Sequence, residues 1–183
     1  MKIFGAIGRI GSGKDEVINY LKGKYGLPAI SVGDIVREMA EDCGLEPSRE
    51  NLERVASEAR RKNGKTYFMK LVLDRVRRNQ WQKAWVTGIR TPQDVRFLKG
   101  NPASDFILIH VYVDDPRIRY ERLTRRNRAD DPDAYDDFLE QDRREEKLFQ
   151  IEAAATMADY ALNNSGSLED LHRQLDAQLK DQV

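Results

Sequence analysis

The sequence predicts an α/β fold, a parallel sheet of five strands with helices on both faces, and two observations carry that expectation. Short apolar runs alternate with long polar, amphipathic stretches, the rhythm of strands each followed by a crossover helix. Helix-start signals also stand near the ends of the apolar runs: Asp34 after Gly33, Thr91-Pro92, Asp115-Pro116, and Ser167 with Asp170 three residues on. Lys2 to Ile7 is the first strand, a glycine-rich turn ends it, and Asp15 to Lys24 is the first helix. Pro28 to Val32 is the second strand, and the helix Asp34 to Asp42 leaves it. Two further helices, Ser48 to Lys62 and Thr66 to Gln80, precede the third strand, Ala84 to Ile89. The helix Pro92 to Lys99 leads to the fourth strand, Phe106 to Val113. Next come a helix from Pro116 to Arg126, an excursion around residues 126 to 137, and one long helix from Ala134 to Ala158. Asp159 to Asn163 is the fifth strand and Ser167 to Leu179 the closing helix. No repeat, linker or low-complexity tract divides the 183 residues, so a single domain over 1–183 is expected.

Lys plus Arg and Asp plus Glu each number 31, and a zero net charge argues against a nucleic-acid or membrane coat. No apolar run approaches the ~18 residues a bilayer span needs; the longest, Phe106 to Val113, contains His110. A lone Cys43 excludes an intrachain disulfide and a multi-cysteine metal site. With a strand where a secretion signal would stand, the expected location is cytoplasmic.

The run Gly8-Arg9-Ile10-Gly11-Ser12-Gly13-Lys14-Asp15 fits G-x-x-x-x-G-K. Glycines let successive N–H groups curl around phosphate oxygens, the following helix presents its positive end, and Lys14 supplies a point charge. Such a turn could do no more than start a helix, but its place between the first strand and the first helix is the context the phosphate mechanism requires. Asp15 stands where a Ser or Thr is usual, and Glu16 beside it is an acid suited to the first turn of a helix. No G-x-G-x-x-G exists, so a dinucleotide fingerprint is absent.

Further along, Ser31-Val32-Gly33-Asp34-Ile35-Val36-Arg37 leaves the second strand, with Asp34 placed to cap the helix and Arg37 to grip a phosphate one turn later. The stretch resembles the S/T-x-G-D-x-x-R with which adenylate kinase and other nucleoside monophosphate kinases open their acceptor-binding helix. Trp85-Val86-Thr87-Gly88-Ile89-Arg90-Thr91-Pro92 resembles a strand end of the same kinases. There a residue at the sheet's carboxyl edge handles magnesium, and an arginine two after a glycine, here Arg90, holds the acceptor phosphate. Thr87 stands where an aspartate is common. The two departures compensate: the loop has gained a carboxylate in Asp15, the strand a hydroxyl in Thr87. A carboxylate ~4 Å from a phosphate charge is repelled by about 4 kcal/mol at an effective dielectric near 20, so Asp15 must face a metal or turn away. Mg²⁺ between them reverses the sign, and Asp15 and Thr87 are its candidate ligands. A Lys-Asp pair at this point also occurs in animal-type phosphomevalonate kinase and in phage deoxynucleoside monophosphate kinase.

Six arginines, at 117, 119, 122, 125, 126 and 128, are followed by Asp130, Asp131, Asp133, Asp136 and Asp137. Glu121-Arg122-Leu123 with Arg126 resembles the entry to the lid of adenylate kinase, which implies roles for Arg122 and Arg126 against the nucleotide; the other arginines read as a solvated or acid-paired face. Adjacent acids cancel the cluster's field and no aromatics interleave it, against nucleic-acid binding. Ala158 to Leu171 resembles the A-D-x-x-I-x-N-x-G-S-x-x-x-L segment of dephospho-CoA kinase, including the preceding Glu146-Lys147. There the loop after the last strand borders the donor adenine, which implies that role for Asn164 and Gly166.

Together the chain resembles the P-loop nucleoside monophosphate kinase superfamily. The resemblance implies a P-loop NTPase three-layer α/β/α fold with a five-stranded parallel sheet, a helical acceptor-binding insertion over about 34–80 and a lid over about 122–145. It implies ATP as donor, Mg²⁺, and transfer of the γ-phosphoryl group to a nucleoside or deoxynucleoside monophosphate, with Lys14, Arg90, Arg122 and Arg126 as catalytic groups. Residues 8 to 16 with Asn164 and Gly166 would hold the donor, and Gly33, Asp34, Arg37 and Arg90 the acceptor. Dephospho-CoA is the alternative acceptor, and a nucleotide-binding regulator or slow NTPase the alternative class. Small nucleotides are the expected partners, and the chain a monomer or homodimer. Arg60, Arg61 and Lys65 are candidates for acceptor-phosphate contacts that do not separate from a solvated helix face. His110 and His172 have no evident partner.

Overall fold

In the computed structural model, which describes residues 1–126 and 131–182, five strands pair in parallel in the order β2-β3-β1-β4-β5. They are β1 (Lys2–Ile7), β2 (Ala29–Ser31), β3 (Lys83–Thr87), β4 (Asp105–Tyr112) and β5 (Tyr160–Asn163). Around them run α1 (Lys14–Tyr25), α2 (Val32–Asp42), α3 (Arg49–Asn63), α4 (Tyr67–Arg78), α5 (Pro92–Lys99), α6 (Pro116–Arg126), α7 (Tyr135–Phe149), α8 (Ile151–Ala155) and α9 (Leu168–Leu179). Successive residues of a strand point to opposite faces, so β1 feeds two cores. Phe4 and Ala6 pack with Val17 and Leu21 of α1 and with Leu171 and Leu175 of α9. Ile3 and Ile7 pack on the other face with α2 to α5 and α8. β1 thus lies mid-sheet between β3 and β4, and the loops leaving these three strands meet at one carboxyl rim, where ligands settle in open α/β sheets.

Strong local signals place the helix starts as expected. Thr91 and Asp94 form a reciprocal capping box ahead of α5, and Ser167 and Asp170 do the same ahead of α9. Two expectations need correction. The second strand ends at Ser31, whose hydroxyl accepts the Asp34 N–H at 3.2 Å. Ser31 is therefore the cap of α2, and Asp34 an acid inside its first turn. The long helix expected from Ala134 to Ala158 is two helices, broken at Gln150, which adopts φ 55° and ψ 48°. The turn carries Ile151, Ala154 and Ala155 into the core, and the Glu146 carboxylate accepts the Glu152 N–H at the new helix start. Among the described residues no helix is long and apolar enough to cross a membrane.

Candidate functional site

At the carboxyl end of β1 the chain turns through residues 8 to 13 and enters α1 with Gly13 as its cap. Gly11 and Gly13 hold φ of 75° and 93°, values that penalise any side chain. What surrounds the loop also demands glycine. A Cβ on Gly8 would lie 2.1 Å from the Val111 carbonyl oxygen, one on Gly11 2.7 Å from that of Arg119, and one on Gly13 2.2 Å from Asn164 Nδ2. The N–H groups of Gly11, Gly13, Lys14 and Asp15 donate to no acceptor among the described residues. Unpaired amides at the end of a helix form a cradle for an anion. Lys14 completes it; its ammonium donates to the Arg9 carbonyl at 2.9 Å. Burial pulls its pKa down to about 8, with Arg90 and Arg119 adding to that and Asp15 and Glu145 opposing.

The basic residues at the rim divide into two sets. Arg9 is taken up by acids: Nη1 meets Asp142 at 2.8 Å, Nε meets Glu152 at 2.6 Å, and Glu146 lies at 3.8 Å. Arg119, 5 % exposed, forms a two-pronged pair with Asp142 at 2.6 and 2.9 Å. Burial works to raise the Asp142 pKa, but Arg119 and Arg9 prevail and hold it below the ordinary carboxylate value. Arg37 pairs with Asp34, and Arg126 with Asp131. By contrast Lys14, Arg60, Arg90 and Arg122 have no ion-pair partner among the described residues. The Arg90 guanidinium lies 5.1 Å from the Phe149 ring centre, and its main-chain N–H donates to buried Asp94. Arg60 lies 4.8 Å from the Phe68 ring centre; burial lowers its pKa, Asp94 opposes and Arg90 adds to the lowering. Arg122 donates one nitrogen to the Asn164 carbonyl at 2.7 Å, while its Nη1 is buried without a partner among the described residues.

The remaining expected residues are distributed around this centre. Asp15 is exposed on the first turn of α1, and Thr87 ends β3 opposite Ser31. Their oxygens are the hard donors that Mg²⁺ accepts together with retained waters. Among the described residues no three His, Cys, Asp or Glu side chains converge as a metal cluster. Glu16 turns to α9, where His172 Nε2 lies at 3.2 Å and its ring stacks on Tyr20 at 3.8 Å. His172 therefore has partners that its sequence neighbourhood conceals. Ile10 offers its carbonyl to Arg119 at 3.1 Å. Ser12 and Asn164 are buried; Asn164 donates Nδ2 to the Ser12 carbonyl at 2.9 Å, and its Oδ1 has no partner among the described residues. Gly33 lies in the first turn of α2 beside Ser31, and Gly166 sits against Asp170. Arg61 and Lys65 are exposed, whereas Arg60 is drawn into the site. Arg128 and Asp130 lie outside the described residues. Sequence reading missed Asp142 and placed Arg119 only on a solvated or acid-paired face, without its burial. The usable signal was Leu123, which puts Arg119 one turn earlier on the same, buried face of α6.

A family model described as an AAA domain matches residues 7–139. A UPF0200 protein of Thermococcus kodakarensis is 37% identical over 166 residues, covering 89% of this chain and 88% of that protein. Among solved structures, TT1252 from Thermus thermophilus superposes with a TM-score of 0.61 at 22% identity, covering 99% and 97% of the two chains. A shikimate kinase from Acinetobacter baumannii in complex with shikimate gives 0.58 at 18% identity, covering 100% and 94%. At these identities the structural likeness is one of fold, that of the P-loop kinases.

Proposed function

We propose, from the premise that the chain belongs to the AAA domain family and to the UPF0200 family, that it is a phosphotransferase moving the γ-phosphoryl group of ATP to a nucleoside or deoxynucleoside monophosphate. The observation that carries this reading is the set of cations without an ion-pair partner among the described residues. Burial lowers the pKa of both Lys14 and Arg60, and Arg90 acts electrostatically on each to lower it further, a smaller effect. Like charges that act on one another favour an anion arriving from outside.

In this reading the free amides of Gly11, Gly13, Lys14 and Asp15 take the donor's β- and γ-phosphates, with Gly8, Arg9, Ile10, Ser12 and Glu16 giving the loop its shape. Lys14 exchanges the Arg9 carbonyl for a phosphate oxygen. Asn164 and Gly166 border the base, and Arg122 and Arg126 approach from α6. Arg90 and Arg60 hold the acceptor's phosphate across from the loop, with Gly33, Asp34 and Arg37 at the entry. Asp15 and Thr87 would hold Mg²⁺, which neutralises phosphate charge when bound. A phosphate acceptor is already anionic, so positioning and charge neutralisation carry the rate and no general base is needed. A reducing, cytoplasmic setting suits the exposed thiol of Cys43.

Two other readings rest on specific residues. Ala158 to Leu171 favours dephospho-CoA as acceptor, while Asp15 and Thr87 favour a slow NTPase or a nucleotide-binding regulator. One assay separates them: purified protein with ATP, Mg²⁺ and a panel of nucleoside and deoxynucleoside monophosphates plus dephospho-CoA. ADP formed only with a monophosphate is the expected result. ADP formed only with dephospho-CoA renames the acceptor, ADP without acceptor makes the protein an NTPase, and ATP binding without turnover makes it a regulator.

A further inference from the structure

Two carbonyls of the phosphate loop are held from outside it. Ile10 offers its oxygen to Arg119 Nη1 at 3.1 Å, and Ser12 offers its oxygen to Asn164 Nδ2 at 2.9 Å. In a planar trans peptide the C=O of one residue and the N–H of the next point in opposite directions. Drawing the Ile10 carbonyl toward α6 therefore turns the Gly11 N–H away from α6, and drawing the Ser12 carbonyl toward β5 turns the Gly13 N–H away from β5. Both amides are among those with no acceptor in the described protein. Glycine-rich backbone has no conformational preference of its own that would keep them aimed.

Arg119 can hold its carbonyl only because its own place is enforced. Asp142, 23 residues further on in α7, takes both terminal nitrogens, and the guanidinium lies 5.1 Å from the Phe138 ring centre. The same carboxylate accepts from Arg9, which Glu152 also grips. The one flexible cation inside the loop is thereby turned toward α7 and α8.

We propose that Arg119, seated by Asp142, is a positioning residue that aims the amides of the phosphate loop at a polyphosphate. This rests on the phosphotransferase reading, to which it adds the device that prepares the donor site. Asp142 is the counter-ion, and neither side chain touches the nucleotide.

The test replaces the buried pair with apolar side chains, Arg119→Met with Asp142→Leu, an exchange that buried ion pairs commonly tolerate without loss of stability. Binding of ATP and of inorganic tripolyphosphate is measured by calorimetry beside the thermal midpoint. The expected result is a folded variant whose affinity for both ligands falls about tenfold, with KM for ATP raised and kcat at saturation kept. Arg119→Lys, able to reach the Ile10 carbonyl, should recover part of the loss. Unchanged affinity in the folded double variant overturns the proposal. Should the double variant fail to fold, Asp142→Asn serves, since it keeps the volume and one acceptor; a weaker tripolyphosphate affinity is expected, and an unchanged one refutes. A wild-type protein that binds neither ligand overturns the phosphotransferase reading itself, a result distinct from either of these.

Discussion

Burial lowers the Lys14 pKa to about 8, Asp15 and Glu145 resist, and Arg90 and Arg119 add to the fall. A polyphosphate against the ammonium favours its charged form and raises the pKa in the complex. Above pH 8 the free protein must then take up a proton in order to bind. Affinity for ADP should be nearly flat from about pH 7 to 8 and fall about tenfold per unit above that. Lys14→Arg, charged throughout, should remove the slope, and fluorescence titration across this range checks both. The sign for folding is opposite: the unfolded chain keeps its lysine proton up to the ordinary 10.5, so stability of the free protein increases as pH rises from about 8 toward that value. Arg90 acts at the same scale. Arg90→Ala should move the breakpoint in ADP affinity upward, because a like charge is gone. In turnover it should raise KM for the acceptor about ten- to a hundredfold with KM for ATP nearly unchanged, the loss of one charge-assisted contact. Arg60→Ala should do the same to a lesser degree, since its guanidinium already lies over Phe68.

Elements whose ends are set by local chemistry were legible before any coordinates. The helices Pro92–Lys99 and Pro116–Arg126 match their expected ranges because a capping box and a first-turn proline act within a few residues. The break at Gln150 was not legible, because its cause is tertiary: Ile151, Ala154 and Ala155 must reach the core, and glutamine announces no left-handed turn. The same division runs through the site. Residues 8 to 15 stand out because their chemistry is contiguous, whereas only the fold separates Arg60 from its exposed neighbours Arg61 and Lys65 and brings Arg119 and Asp142 together. The Gln150 conformation gives a direct test. A non-glycine residue at φ 55° is held at a steric cost, so Gln150→Gly should stabilise the protein by about 0.5–1 kcal/mol in urea denaturation. Gln150→Val, β-branched at the same angle, should destabilise it by about 1–2 kcal/mol. Equal stabilities for the three proteins would mean that the α7–α8 turn is not strained.

At the scale of the whole molecule, the phosphate loop springs from the strand shared by both cores and packs on β4, α6 and the exit of β5. Gly8 packs on the Val111 carbonyl of β4, Gly11 on α6, and Gly13 on Asn164 at the exit of β5. β1, from which the loop springs, sends Phe4 into one core and Ile3 into the other. Opening the molecule at β1, β4 or α6 would release the loop, so ligand binding at the loop should be coupled to unfolding of both cores. A ligand at a hundred times its dissociation constant stabilises the folded state by about 2.7 kcal/mol. For a chain of this size each kcal/mol raises the melting temperature by about 2–4 °C, so ATP or ADP should raise a single transition by about 5–10 °C. Adenosine, without phosphates to engage the cradle, should produce little shift. Calorimetric melting with each ligand decides the matter: a second transition that stays in place while the first moves would show that one of the two cores unfolds independently of the loop.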